Sequence, residues 1–182
     1  MATLSKDEFA RRAAEIEWLL LDVDGVLTDG SLYYGPRGPS LLRFNVRDGL
    51  GIRLAQRAGL KVGVLSGRES RALERRADEL DLEPVLSGSL DKAGDFETFL
   101  DRQSLRARQV AFVGDDLNDL VVLGRCGLSF APADAAPEVR AVVQAVLETP
   151  GGYGAVRELI ERLLRARGEW DRALAPFSFE EQ

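Results

Sequence analysis

The stretch WLLLDVDGVLTDG, residues 18–30, decides the fold of this 182-residue chain. An uninterrupted apolar run leads directly into two aspartates, Asp22 and Asp24, and then into Gly25. A short apolar run bounded by turn residues is typical of a strand buried on both faces, although periodicity alone leaves a buried helix open. If residues 18–23 form a strand, both aspartates lie at its carboxyl end, where open parallel sheets bind ligands. The alternative is a polar strand end whose aspartates face water.

Further apolar segments alternate with amphipathic helices along the rest of the chain. The segments predicted as strands are residues 60–65, 84–86, 110–113 and 128–131. The segments predicted as helices are residues 5–17, 49–58 with Asp48 as N-cap, the stretch that ends at Leu80, the stretch that Asp91 caps, 137–147 and 153–167. This alternation predicts an α/β fold, a Rossmann-like parallel sheet flanked by helices.

Two segments fall outside the alternation. Residues 31–44 carry β-prone residues on both sides of a Gly/Pro turn and predict a small β-hairpin insertion. Residues 168–182 lose regular periodicity and are expected to form a C-terminal tail. Because no linker interrupts the pattern, we expect residues 1–182 to form a single domain.

Composition excludes several classes of function. The net charge is −6, and the sequence has no basic stripe with interleaved aromatic residues. Binding to nucleic acid is therefore not predicted. No apolar stretch is long enough to span a membrane and no signal-peptide core is present, so a cytoplasmic protein is expected. The chain has no histidine and one cysteine, which removes histidine bases, thiolate zinc sites and internal disulfides. Any metal site must therefore rest mostly on carboxylates, which favour Mg²⁺.

Polar side chains cluster at the predicted carboxyl ends of the strands, which share one edge of a parallel sheet. The clusters are Asp22 with Asp24, Ser66, Lys92 just beyond the third strand, and Asp115 with Asp119. Carboxylates brought together repel one another, and a divalent cation relieves that repulsion. A metal-loaded acidic pocket with a lysine and a hydroxyl can hold a phosphate. For Lys92 alone, the alternative is an ordinary surface lysine in the first turn of a helix.

Four ordered motifs resemble those of the haloacid dehalogenase-like phosphatases. They are DVDGVLT at residues 22–28, SGR at 66–68, Lys92, and GDDLND at 114–119. The resemblance implies that Asp22 attacks phosphorus to form an aspartyl-phosphate, and that Asp24 is the general acid and base.

The same resemblance implies a role for each remaining motif residue. Asp22, the backbone carbonyl of Asp24, and Asp115 would bind Mg²⁺. Ser66 and Lys92 would contact the phosphoryl group. Asp116 and Asp119 would orient the metal ligands or the lysine.

A finer resemblance is to the phosphatases of 3-deoxy-D-manno-octulosonate 8-phosphate, an intermediate of lipopolysaccharide biosynthesis, and to related phosphatases of nine-carbon sugar acids. It rests on FNVRDGLGI at residues 44–52 and GGYGAVRE at 151–158, together with the four motifs. The spacing between the motifs leaves no room for a cap domain. The chain is therefore expected to lack a cap. The resemblance implies a homotetramer in which hairpins associate and a neighbouring loop or tail helps to close each site.

A sugar-acid substrate carries a carboxylate as well as a phosphate. Arg68, Arg47 and Arg75 are candidates for binding it, since a guanidinium binds carboxylates bidentately. Arg75 lies on a charged helix, however, where a solvated face is the alternative. Residues 38–43 depart from the pattern expected before FNVRDG, which leaves the identity of the sugar open.

Two other classes of function compete with the phosphatase. A non-catalytic oligomerisation module of a sugar-activating system is disfavoured, because such a module has no need for an intact set of motif carboxylates and lysine. A phosphoryl-transfer enzyme such as a mutase is disfavoured by the missing cap.

Overall fold

The computed structural model describes residues 4–36 and 38–177. The strands are β1 (Trp18–Leu21), β2 (Tyr33–Gly35), β3 (Gly38–Leu41), β4 (Lys61–Ser66), β5 (Val85–Ser87), β6 (Val110–Val113), β7 (Leu128–Ala131) and β8 (Ala145–Val146). The helices are α1 (Lys6–Glu15), α2 (Val46–Arg57), α3 (Arg71–Leu80), α4 (Lys92–Gln103), α5 (Leu120–Leu123), α6 (Pro137–Val142), α7 (Ala155–Ala166) and α8 (Trp170–Leu174).

Six of the strands form one parallel sheet in the order β5-β4-β1-β6-β7-β8. β1 is at its centre, with Leu21 in register with Val64 of β4 and Val113 of β6. The Asp22 N–H donates to the carbonyl of Val113 at 3.0 Å, so backbone pairing continues into the first aspartate. The predicted Rossmann-like α/β fold is therefore confirmed.

Side chains of β1 alternate between the two faces of the sheet. Leu19 and Leu21 pack into a core with α1, α2, α3, α7 and α8. Trp18 and Leu20 pack into a second core with α4, α5 and α6. Because both faces are covered, β1 is apolar throughout, and its first polar side chain comes where it ends.

The segments between the motif-bearing strands are short. β2 and β3 pair as the predicted antiparallel hairpin, and α2 follows directly. Between β4 and α4 lie only α3 and β5. Residues 4–36 and 38–177 thus hold no separate cap domain, as the spacing predicted. None of these described residues forms a helix long and apolar enough to cross a membrane.

The prediction that Asp48 caps a helix over residues 49–58 is wrong. The helix begins at Val46, and Asn45 is its N-cap, with Oδ1 accepting from the Arg47 N–H at 2.9 Å. Asp48 lies inside the first turn and is buried; its Oδ1 accepts from the Arg157 N–H at the start of α7, 2.8 Å away. The Asp48 carboxylate therefore makes a tertiary hydrogen bond to α7 and does not cap its own helix. Asp91 does cap α4 as predicted, accepting from the Gly94 N–H at 3.0 Å.

Two further boundaries differ from the predictions. The expected helix over residues 137–147 ends at Val142, because Ala145 and Val146 pair with β7 as an edge strand. The expected irregular tail over 168–182 instead holds α8, whose Trp170 is buried. The end of that tail, residues 178–182, lies outside the described residues.

Candidate active site

The site begins where β1 ends. Asp22 directly follows the last residue of the strand, and its side chain is buried. Asp24 lies two residues further on and is partly exposed. Gly25 follows with a φ of 80°, a conformation that residues with a Cβ rarely adopt. The end of β1 thus presents one buried and one partly exposed aspartate.

Lys92 is placed by the start of α4 and is only 2% exposed. Its Nζ lies 2.8 Å from Oδ1 of Asp22 and 2.6 Å from Oδ1 of Asp119. Burial favours the neutral amine, but the two carboxylates outweigh it and raise the pKa of Lys92. The lysine therefore stays charged inside the site, and the surface-lysine alternative is wrong.

Asp119 is tied down through both carboxylate oxygens. While Oδ1 accepts from Lys92, Oδ2 accepts from the backbone N–H groups of Asp115 at 2.9 Å and Asp116 at 3.3 Å. The carboxylate lies so close to Gly114 that a Cβ there would overlap it. Asp119 is thus a fixed acceptor that holds the loop after β6 and positions the lysine.

Asp115 and Asp22 are carboxyls whose charge is unfavourable in this site. Burial, and then the charges of Asp119 and Asp116, raise the pKa of Asp115 to about 7. Burial and the Asp119 charge also raise the pKa of Asp22, against the opposing effect of Lys92. Three carboxylates around one ammonium leave excess negative charge, which a bound cation would relieve.

The acidic cluster fits a divalent metal ion. Carboxylate oxygens of Asp22, Asp115 and Asp119 lie within 4.8 Å of one another. Both oxygens of Asp119 are already engaged by hydrogen-bond donors, so Asp22 and Asp115 are the carboxylates left to bind metal. An all-oxygen donor set suits a hard cation.

Ser66 and Arg68 form the neighbouring wall at the end of β4. Ser66 is buried, and its Oγ accepts from the Arg68 N–H at 3.3 Å. The Arg68 Nε lies 3.3 Å from Oδ2 of Asp24, which links the serine loop to the accessible aspartate.

The other predicted residues lie further from the cluster. Asp116 is exposed and accepts from the Leu117 N–H at 2.7 Å. Arg47 on α2 and Arg75 on α3 are both exposed. Within the described part of the chain, neither arginine forms an ion pair with the acidic cluster, so their roles stay predictions.

A second layer supports the loop after β1, and sequence reasoning gave it no structural role. Gly151 lies so close to the Gly25 carbonyl that a Cβ there would overlap it, and the Gly152 N–H donates to the Val26 carbonyl at 2.9 Å. Arg43, which follows the hairpin, pairs with Asp29 at 3.1 Å. Adjacent glycines in the sequence could have indicated a close approach of two backbones. Nothing in the local sequence indicates the ion pair between Arg43 and Asp29.

Comparison with known proteins identifies relatives of the chain. Residues 82–159 match the model of a family described as haloacid dehalogenase-like hydrolase. The chain is 42% identical over 159 residues to 3-deoxy-D-manno-octulosonate 8-phosphate phosphatase of Haemophilus influenzae, covering 87% of this chain and 88% of the relative.

Solved structures of such enzymes share the fold. A cobalt-bound deoxy-D-mannose-octulosonate 8-phosphate phosphatase from H. influenzae is 42% identical, with a TM-score of 0.85, over 87% of this chain and 93% of that one. The enzyme from Moraxella catarrhalis, in complex with magnesium, phosphate and KDO, is 31% identical, with a TM-score of 0.91. That match covers 94% of this chain and 99% of the other.

Proposed function

The chain belongs to the haloacid dehalogenase-like hydrolases, and from that premise we propose that it is a magnesium-dependent phosphatase of 3-deoxy-D-manno-octulosonate 8-phosphate. The observation that carries this proposal is the buried Lys92, held between Asp22 and Asp119 and next to Asp115. The same fold, at 31% identity, accompanies magnesium, phosphate and KDO in the M. catarrhalis enzyme. The site therefore fits a phosphate and a metal ion, and the named relatives are phosphatases of this same substrate.

In the proposed reaction the two aspartates after β1 take different roles. A carboxylate oxygen of Asp22 attacks phosphorus while the bond from phosphorus to the sugar oxygen breaks. Asp24 gives its proton to that oxygen, which leaves as the sugar alcohol. Asp24 then takes a proton from a water molecule whose oxygen attacks the aspartyl-phosphate. Inorganic phosphate leaves, and the Asp22 carboxylate is regenerated.

The surrounding residues hold charge and geometry through both steps. The Lys92 ammonium, fixed by Asp119, would stabilise negative charge on the phosphoryl oxygens. The Ser66 hydroxyl would donate to one of those oxygens. Asp119 holds the loop that carries Asp115, and Asp116 caps the turn that follows.

Magnesium would be held by Asp22, Asp115 and the backbone carbonyl of Asp24. When bound, it supplies positive charge between the nucleophilic carboxylate and the phosphate, which would otherwise repel each other. The raised pKa values of Asp22 and Asp115 agree with carboxylates that need a cation for full ionisation.

We further propose that residues 1–182 act as one domain in a homotetramer assembled through the hairpin. Tyr34 and Leu41 of the hairpin are 70% and 65% exposed, which is costly for an isolated chain. Light scattering of the purified protein tests this assembly, and a monomer would contradict it. A cytoplasmic location stays a prediction that cell fractionation can check.

A phosphate-release assay tests the proposed function. We expect turnover of 3-deoxy-D-manno-octulosonate 8-phosphate with Mg²⁺ and none with excess EDTA. Faster turnover of a nine-carbon sugar-acid phosphate would assign the related substrate instead. Release from no phosphate ester would favour the non-catalytic oligomerisation module.

A further inference from the structure

A cavity of about 670 Å³ lies between the hairpin and the start of α3. One wall is formed by hairpin residues and the other by the first residues after β4. The lining residues include Leu42 on the hairpin side and Arg68, Glu69, Ser70 and Arg71 on the other. Its volume falls in the range of small-molecule sites, which is about 300–1,000 Å³.

The cavity adjoins the active site at Arg68. This side chain lines the cavity, and its Nε lies 3.3 Å from the Asp24 carboxylate. In the proposed reaction Asp24 protonates the leaving sugar oxygen, so the rest of the sugar must extend away from Asp24. The space beside Arg68 is therefore where the sugar portion would go.

The chemistry of the cavity wall suits a polyhydroxy acid. Among the described lining residues, Arg68 and Arg71 carry two positive charges against one negative charge on Glu69, in a chain whose net charge is −6. Glu69 and Ser70 can accept hydrogen bonds from sugar hydroxyls, while Leu42 offers an apolar wall.

The guanidinium of Arg71 has hydrogen-bond donors available for a ligand. It is exposed on the first turn of α3, and no hydrogen bond or ion pair joins its guanidinium to another residue within 4–36 and 38–177. A guanidinium without a protein partner can bind a carboxylate through two parallel hydrogen bonds. Arg75, one turn further along α3, is not among the residues that line the cavity.

We propose that the cavity between the hairpin and α3 is the sugar-acid subsite, with Arg71 as the residue that binds the substrate carboxylate. This inference rests on the proposed function. It assigns the carboxylate to Arg71 in place of Arg75, and it leaves phosphate binding to Ser66 and Lys92.

The test compares Arg71→Ala with Arg75→Ala and with Arg102→Ala, an exposed arginine in the last turn of α4, far from the site. We expect Arg71→Ala to raise KM for the sugar-acid phosphate about 10- to 100-fold, because the variant loses a charged, hydrogen-bonded contact with the substrate. KM for p-nitrophenyl phosphate, which has no carboxylate, should stay unchanged. Arg71→Lys should recover part of the loss. An unchanged KM in Arg71→Ala, or an increase confined to Arg75→Ala, would overturn the subsite.

Calorimetric titration of the free sugar acid, 3-deoxy-D-manno-octulosonate, separates this result from failure of the proposed function. If the wild-type protein binds the acid and Arg71→Ala binds it at least tenfold more weakly, the subsite stands whatever the turnover. If both proteins bind it equally, or neither binds it at millimolar concentration, the subsite is wrong. Absence of turnover alone would count against the phosphatase assignment.

Discussion

The Nζ of Lys92 lies 2.6 Å from Oδ1 of Asp119, and both groups are buried although 27 residues separate them along the chain. The same ammonium reaches Asp22 at 2.8 Å. One lysine thus joins the ends of β1 and β6 at the point where a phosphate would bind. Since the three side chains come from separate segments, only the sheet edge brings them together.

Replacing Asp22 with asparagine should abolish turnover while the fold persists. The amide keeps the shape of the carboxylate but cannot form the covalent intermediate, so we expect a loss of about 10⁴-fold or more. Phosphate release measures the loss, and circular dichroism checks the fold. Activity within tenfold of wild type in a folded variant would refute covalent catalysis by this residue.

Lys92→Met should lower both activity and stability. Removing the ammonium leaves the buried carboxylates of Asp22 and Asp119 without their cation, and breaking such a pair costs about 3–5 kcal/mol. Urea unfolding of the metal-free proteins measures the difference. Because a bound cation would replace part of the lost charge, added Mg²⁺ should stabilise Lys92→Met more than wild type. Equal unfolding midpoints for the two metal-free proteins would contradict this account.

Magnesium should stabilise the folded protein, because it binds the native state in preference to the unfolded state. At 100 times the dissociation constant, a ligand of the native state adds about 2.7 kcal/mol. Thermal melts with and without Mg²⁺ should therefore shift for wild type and not for Asp115→Asn. Asp101→Asn, an exposed position on α4, is the matched control and should keep the shift. A shift that survives in Asp115→Asn would remove Asp115 from the metal site.

Gly25→Ala should weaken metal binding in addition to straining the backbone. Gly25 and Gly59 both have positive φ values, 80° and 92°, so alanine costs about 1–2 kcal/mol at either position. A Cβ at Gly25 would also overlap the Asp115 carboxylate, whereas at Gly59 nothing lies within 4 Å. We expect Mg²⁺ affinity to fall about 10- to 100-fold in Gly25→Ala only. Titration calorimetry measures both variants, and equal affinities would show that Asp115 adapts freely.

Asp48 should make stability depend on pH. Burial raises its pKa to about 6 from 3.8, although the backbone N–H of Arg157 partly opposes the shift. The folded state therefore holds the proton more tightly than the unfolded state. The protonated Asp48 therefore adds about 3 kcal/mol to the free energy of unfolding. This stabilisation is complete below about pH 4 and is lost as pH rises through 6.

Asp48→Asn removes this titration and serves as the reference. The free energy of unfolding of wild type, minus that of the variant, should fall by up to about 3 kcal/mol between pH 4 and pH 7.5. Urea unfolding at several pH values gives both curves. Parallel curves would mean that Asp48 has an ordinary pKa in the folded protein.

Local sequence determined most of the sheet and the edge on which the site lies. The run before Asp22 is apolar at every position, which is typical of a strand covered on both faces, and the polar motifs follow successive strands. Asp91 was also predictable as a cap, because its contact with Gly94 spans a single helical turn. Such features depend on neighbours in the chain, so they can be predicted from sequence.

Tertiary structure decided what depends on distant partners. Asp48 lost its predicted capping role because α7 brings the Arg157 N–H to it, and residues 145–146 became a strand because β7 offers them a free edge. The resemblance already implied Asp22 and Asp115 as metal ligands, and distant partners supply a physical reason for that expectation. Sequence supplied the carboxylates at residues 22–24 and 115–119, but only the fold occupied both oxygens of Asp119 with hydrogen-bond donors.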